Sequence, residues 1–228
     1  KHGIRVIAGC ELTLERAGLE GLPEIPGKPS TVTVLVENHD GYTNLCRILS
    51  ESHRRHPKNL PLKRKEELEE EDLPKNTWAG VPLAYVNEHA AGLWALADAT
   101  LLEEPAGREM VKAFGHRLSV AVHLHKDGED RARVSRAESV ARTFGLPICA
   151  TNRVLHARPQ DKPILDVLHC IREGKTLEEA GRELRPNVEA HLKSEEEMTK
   201  LFSLHPEWLA RARFIADRCQ FSIKELKY

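Results

Sequence analysis

By residue type and position, four side chains in this sequence are candidate metal ligands. His123 and His125 form an H-x-H pair at the end of an apolar run, Glu11 lies near the predicted end of the first strand, and His156 follows a later strand. Carboxylate oxygens and neutral imidazole nitrogens are ligands that zinc and manganese accept. The alternative, that these histidines are ordinary core or surface residues, stays open on spacing alone.

A strand-helix-strand unit positions most of these side chains. Residues 118–125 form a β-branched run in which the period of two places His123 and His125 on one face. An amphipathic helix is predicted over 127–142, with Gly145 as a left-handed cap, and a second strand over 146–152. Such a crossover makes the two strands parallel, so their carboxyl ends share one rim. We expect three side chains to gather there: His125, Asn152 and His156.

The rest of the first 160 residues repeats the alternation of strand and helix, which predicts an α/β fold with a mostly parallel sheet. Strands are predicted over 3–14 and 31–36 and from Leu93, and helices over 42–54 and 107–114. Residues 55–82, which are charged and bounded by prolines, are predicted to be a short exposed helix or a mobile insertion. From Asp161 the pattern predicts helices only, with capping boxes at Thr176 and Ser194.

Composition narrows the class of protein. The 34 basic and 35 acidic residues give a net charge of -1, which argues against a nucleic-acid-wrapping or membrane-surface protein. Five cysteines without C-x-x-C spacing suit reduced thiols in a cytoplasmic protein. No apolar run approaches the roughly 20 residues that span a bilayer. A start without methionine suggests a piece of a longer chain.

Several ordered phrases resemble the PHP (polymerase and histidinol phosphatase) domain of bacterial C-family DNA polymerases, closest to the error-prone, translesion branch. The resemblance covers nearly the whole chain. The matching phrases are residues 3–11, 34–45, 145–152, 166–172, 187–198 and 221–228.

The resemblance implies a fold and a set of partners. It implies a distorted (β/α)7 barrel over residues 1–160, truncated because the family's first strand would lie upstream of Lys1. Residues 161–228 would be a helical segment leading toward the polymerase core. The partners implied are the rest of the polymerase chain and proteins of a translesion complex, with DNA held by the parent polymerase and not by this part.

Only some of the family's metal ligands are present at the matching positions of this sequence. Glu11 and His125 match ligands, whereas Thr31 and Leu155 replace histidines and Arg153 replaces an aspartate. A guanidinium cannot lose its proton in a protein and repels a metal cluster. The resemblance therefore implies a degraded site with no catalytic residue and no bound zinc or manganese, unless His123 and His156 compensate.

Three functions follow from the resemblance. The first is a structural PHP-type portion of an error-prone DNA polymerase, inactive by itself, whose parent is a nucleotidyltransferase in DNA replication and repair. The second is an active metal-dependent phosphoesterase that acts as a 3'-5' proofreading exonuclease, which Glu11 and His125 favour and Arg153 opposes. The third is a free-standing phosphatase, which the polymerase-like helices after Asp161 oppose.

Overall fold

The computed structural model describes residues 5–15, 30–55, 80–103 and 105–226. These residues form six β-strands and eight α-helices, so the predicted α/β class is confirmed. The chain divides into two compact units: unit 1 contains Lys1–Ser119 and Ile215–Tyr228, and unit 2 contains Val120–Phe214. The (β/α)7 barrel, its missing first strand and the division at residue 160 stay predictions, and nearly all of the 55–82 insertion lies outside the described residues.

The sheet of unit 1 has the strand order β3-β1-β2-β4. Strand β2 pairs antiparallel with both β1 and β4, and β1 pairs parallel with β3. The prediction of a mostly parallel sheet is therefore wrong for this unit. Both arrangements place alternate side chains on opposite faces, so apolar periodicity does not encode strand direction. The strand bounds are Gly9–Leu14 for β1, Thr31–Val36 for β2, Gly80–Val81 for β3 and Leu93–Asp98 for β4.

Helix α1 (His39–Arg55) packs against this sheet through Leu45 and Ile48, which are buried. It begins three residues before the predicted start, and the Asn38 side chain accepts a hydrogen bond from the Gly41 amide at 3.0 Å, as an N-cap does. Two shorter helices follow in this unit, α2 (Leu83–Glu88) and α3 (Ala106–Phe114), and the second confirms the predicted helix over 107–114.

The predicted crossover is present in unit 2. Strand β5 (Leu118–Val122), which begins at the unit boundary, pairs parallel with β6 (Ile148–Ala150), and α4 (Asp130–Phe144) connects them. Gly145 has φ 65° and ψ 31°, which confirms the left-handed cap. Strand β5 ends at Val122, however, and not at His125. The two histidines of the H-x-H pair therefore lie in the loop that follows the strand.

The remaining helices follow β6, as the sequence predicts. Both capping boxes are confirmed, since the Thr176 hydroxyl accepts from the Glu179 amide and the Ser194 hydroxyl from the Glu197 amide. No helix among the described residues is long and apolar enough to cross a membrane. The helices are α5 (Lys162–Glu173), α6 (Leu177–Ala180), α7 (Glu195–Leu201) and α8 (Pro206–Arg218), of which α8 ends in unit 1.

Candidate functional site

A cluster of buried histidines lies where β5 and β6 end. The His125 side chain is only 2% exposed, and its Nε2 lies 2.7 Å from the carbonyl oxygen of Asn152. The Asn152 amide in turn donates to the carbonyl oxygen of His191, and His191 forms a backbone bridge with His156. The structure thus brings His125, Asn152 and His156 into one hydrogen-bonded network, together with His191.

Side chains from two separate segments form hydrogen bonds with the backbone of the loop after β5. The Asp130 carboxylate, at the start of α4, accepts from the backbone amides of His125 at 3.0 Å and Lys126 at 2.8 Å. The Asn187 amide donates to the carbonyl oxygen of His125 at 2.6 Å. Lys126 has φ 51°, a left-handed conformation that costs a non-glycine residue energy and needs such support. The histidine loop is therefore fixed in one conformation.

Positive charge surrounds the other histidine of the pair. The His123 ring lies 4.6 Å from the His125 ring, and Arg133 donates to the His123 carbonyl oxygen at 3.3 Å. Burial first, and then the charge of Arg133, His125, Arg153 and Arg185, lowers the pKa of His123 to about 3. The ring is therefore uncharged at neutral pH.

This lowered pKa predicts acid sensitivity of folding. The ordinary pKa of histidine is 6.5, so between pH 6.5 and about 3 the unfolded chain binds a proton that folded His123 does not. The stability that neutral His123 contributes is complete above pH 6.5 and is lost as the pH falls toward 3. We expect wild-type protein to lose more unfolding free energy than a His123→Gln variant between pH 7 and pH 5, measured by urea denaturation. Equal losses would show that the imidazole does not titrate in this way.

Three arginine side chains act electrostatically on His123: Arg133, Arg153 and Arg185. Arg133 is neutralised by Asp127 at 2.8 Å and Asp130 at 2.5 Å. Burial, and then the charge of Arg153, lowers the pKa of the half-buried Arg185. Arg153, at the position that resembles the family's aspartate ligand, has φ 46°, so its backbone is held in the left-handed region directly after Asn152. A cation entering here would meet guanidinium groups as well as the carboxylates that pair with Arg133.

Backbone carbonyl groups occupy one nitrogen of each buried imidazole in the network. Nδ1 of His156 lies 2.8 Å from the Arg158 oxygen, and Nδ1 of His191 lies 2.9 Å from the Val188 oxygen. Nε2 of His156 is buried and has no hydrogen-bond partner among the described residues. A carbonyl oxygen only accepts hydrogen bonds, so Nδ1 of His156 carries the proton and Nε2 carries a lone pair that no described residue uses.

Glu11 differs from its predicted place. It lies in the middle of β1, opposite Thr33 of β2, and is exposed, whereas the sequence analysis puts it at or near the end of the strand. Leu155, at a family histidine position, is 46% exposed. Among the described residues no group of three or more His, Cys, Asp or Glu side chains is arranged to hold a metal ion. This donor set does not fit a hydrolytic metal centre, which needs three or more such ligands around one ion.

The spacing of residues along the sequence does not reveal two residues of the site. Asn187 and Arg185 are about 60 positions from His125 along the chain, yet Asn187 bonds to it and the Arg185 charge reaches it. Asn187 lies within a phrase that resembles the polymerase family, and that resemblance is the sequence signal for its importance.

Several curated proteins that are similar to this chain are named error-prone DNA polymerase. It is 36% identical over 228 residues to the error-prone DNA polymerase of Anaeromyxobacter dehalogenans (strain 2CP-1 / ATCC BAA-258). It is 32% identical over 232 residues to error-prone DNA polymerase 1 of Agrobacterium fabrum. Both alignments cover 100% of this chain and 18% of the relative. A shorter match, 45% identical over 101 residues, covers 44% of the chain and 9% of the error-prone DNA polymerase of a Bradyrhizobium species.

The alignments locate the chain within much longer proteins. It spans less than a fifth of the length of the curated relatives that it matches from end to end. No family model matches the sequence. These relatives confirm the relationship predicted from the sequence motifs: over all of its 228 residues, the chain is related to a segment of the error-prone DNA polymerases.

Proposed function

We propose that this chain is the PHP-type portion of an error-prone DNA polymerase and that its role there is structural. The parent enzyme would carry out DNA synthesis in replication and translesion repair, and would contact DNA outside this portion. The observation that carries the proposal is the His125 contact: the imidazole at the family's ligand position bonds to the Asn152 carbonyl at 2.7 Å. A histidine used in this way ties two chain segments together, a structural role that needs no metal.

Charge supports the same conclusion. A PHP-type phosphoesterase would need metal ions to polarise a phosphoryl oxygen and to generate hydroxide. Here Arg153 follows directly on Asn152, and burial first, and then the charges of Arg133, His125, Arg153 and Arg185, lower the pKa of His123. The charge of these arginines also opposes a divalent cation at that place. We therefore assign no catalytic residue to this chain.

One observation favours the alternative, an active metal-dependent phosphoesterase acting as a 3'-5' exonuclease. His156 Nε2 is buried without a hydrogen-bond partner among the described residues, as a ligand nitrogen would be before metal binds. Together with His123 it could rebuild part of a site for zinc or manganese. A buried imidazole that forms a hydrogen bond through Nδ1 can, however, also leave the lone pair of Nε2 unused. His156 forms such a bond with the carbonyl oxygen of Arg158.

Metal content distinguishes the two functions. We expect protein purified without chelator to contain substoichiometric zinc and manganese by elemental analysis, because no group of three or more His, Cys, Asp or Glu side chains among the described residues is arranged to hold a metal ion. A His156→Ala variant should have the same metal content as wild type. Stoichiometric metal in wild type that is lost in this variant would contradict the structural role and support the phosphoesterase.

The cellular setting is part of the proposal. All five cysteines are free thiols, and burial raises the pKa of Cys149 to about 12. Unpaired thiols are typical of proteins kept in a reducing compartment, which supports the cytoplasm. The partners proposed are the rest of the polymerase chain and proteins of a translesion complex.

A further inference from the structure

The apolar face of α5 points away from the core of its own unit. Four apolar side chains at helical spacing would be expected to form the buried stripe of such a helix. They are instead exposed, while Cys170 on another face of the helix is buried. The exposed fractions are 62% for Ile164, 45% for Val167, 58% for Leu168 and 71% for Ile171. The apolar stripe of this helix is therefore exposed and not buried.

The apolar surface continues into the next helix. Leu177, the first residue of α6, is 50% exposed. The α5–α6 connection is held closely, since the Lys175 amide donates to the Cys170 carbonyl oxygen at 3.0 Å. The exposed apolar side chains Ile164, Val167, Leu168, Ile171 and Leu177 are called the α5 face below.

Charged side chains of α5 are paired with each other and leave this face uncharged. Lys162 bonds to Asp166 at 2.6 Å, and both side chains are less than one-fifth exposed. Arg172 pairs with Glu173 at 2.8 Å at the end of the helix. Apolar centres with paired or displaced charges are typical of the buried core of a protein interface. Proteins that remain monomeric rarely expose a contiguous apolar surface of this kind.

We infer that the α5 face is covered by the remainder of the polymerase chain. The curated relatives that match this chain from end to end are more than five times as long, so most of their polypeptide lies outside the matched segment. Of the large apolar side chains exposed among the described residues, eleven of thirteen lie in unit 2. The occupant is therefore an uncharged apolar surface of the polymerase core, and the inference rests on the proposed function.

Hydroxyl-radical footprinting of the full-length protein that contains this chain tests the inference. Oxidation of each side chain is measured by mass spectrometry in native and denatured protein. We expect Ile164, Leu168 and Ile171 to be protected as strongly as the buried Phe202, by about fivefold or more, as in an interface core. Protection that matches exposed fractions of 58–71% would overturn the inference. Protection that disappears on dilution would also overturn it, because the occupant would then be a second copy.

Matched variants separate this surface from general apolar exposure. Leu168→Glu in the full-length protein should abolish protection of Ile164 and Ile171, whereas Leu204→Glu, at the 86% exposed Leu204, should leave it unchanged. Loss of protection in both variants would contradict a specific interface. Primer extension by the wild-type protein is measured in parallel. Absence of DNA synthesis would count against the proposed function, whereas normal synthesis with an unprotected α5 face would count against this inference alone.

Discussion

A His125→Ala variant is expected to unfold with a free energy about 2 to 4 kcal/mol below that of wild type. The substitution removes a buried ring whose Nε2 lies 2.7 Å from the Asn152 oxygen. It leaves that carbonyl without its partner, which costs about 1 to 3 kcal/mol, and opens a cavity that adds to the loss. Chemical denaturation followed by circular dichroism measures the difference.

An exposed histidine provides the control. His53 lies in the last turn of α1 and is exposed, so His53→Ala should change the unfolding free energy by no more than about 0.5 kcal/mol. A similarly small effect for His125→Ala would mean that the histidine network does not stabilise the fold. The proposed structural role of the ligand position would then lose its physical basis.

Local patterns in the sequence are sufficient for the elements that build the site. The parallel β5–α4–β6 unit, the left-handed Gly145 and the caps at Thr176 and Ser194 are all confirmed. Each depends on residues within a few positions of one another, or on the handedness of one crossover. Because neighbouring residues determine such features, they can be predicted from the sequence alone.

Properties that depend on distant parts of the chain could not be predicted. The periodicity of residues 118–125 fits a longer strand, but Asp130 and Asn187 bind the backbone at His125 and Lys126 and so end β5 at Val122. Periodicity likewise does not show which strands pair with each other in unit 1. Nor does it show which side of α5 faces the core. The charge around His123 illustrates the same limit, because Arg133, Arg153 and Arg185 come from three separate segments.

A close approach of two backbone segments gives unit 1 its most demanding position. Gly41, in the first turn of α1, faces the carbonyl group of Gly92, and a Cβ atom added at Gly41 would lie 1.9 Å from the Gly92 oxygen. The neighbouring contacts fix this arrangement, since the Asn44 side chain donates to the Ala91 oxygen at 2.9 Å. The helix cannot move away without breaking that bond and the one between the Gly41 amide and Asn38.

We therefore expect Gly41→Ala to lower the unfolding free energy by more than about 3 kcal/mol, because the backbone of Gly92 cannot move as a flexible side chain would. Helix propensity alone predicts the opposite sign, a gain of about 1 kcal/mol for alanine over glycine. Gly145→Ala is the matched control: no atom lies within 4 Å of its Cβ position, so only the left-handed backbone penalty of about 1 to 2 kcal/mol remains. Thermal and urea denaturation of both variants decide between the two effects. A Gly41→Ala protein as stable as wild type would show that α1 is not held against the Gly92 turn as the structure describes.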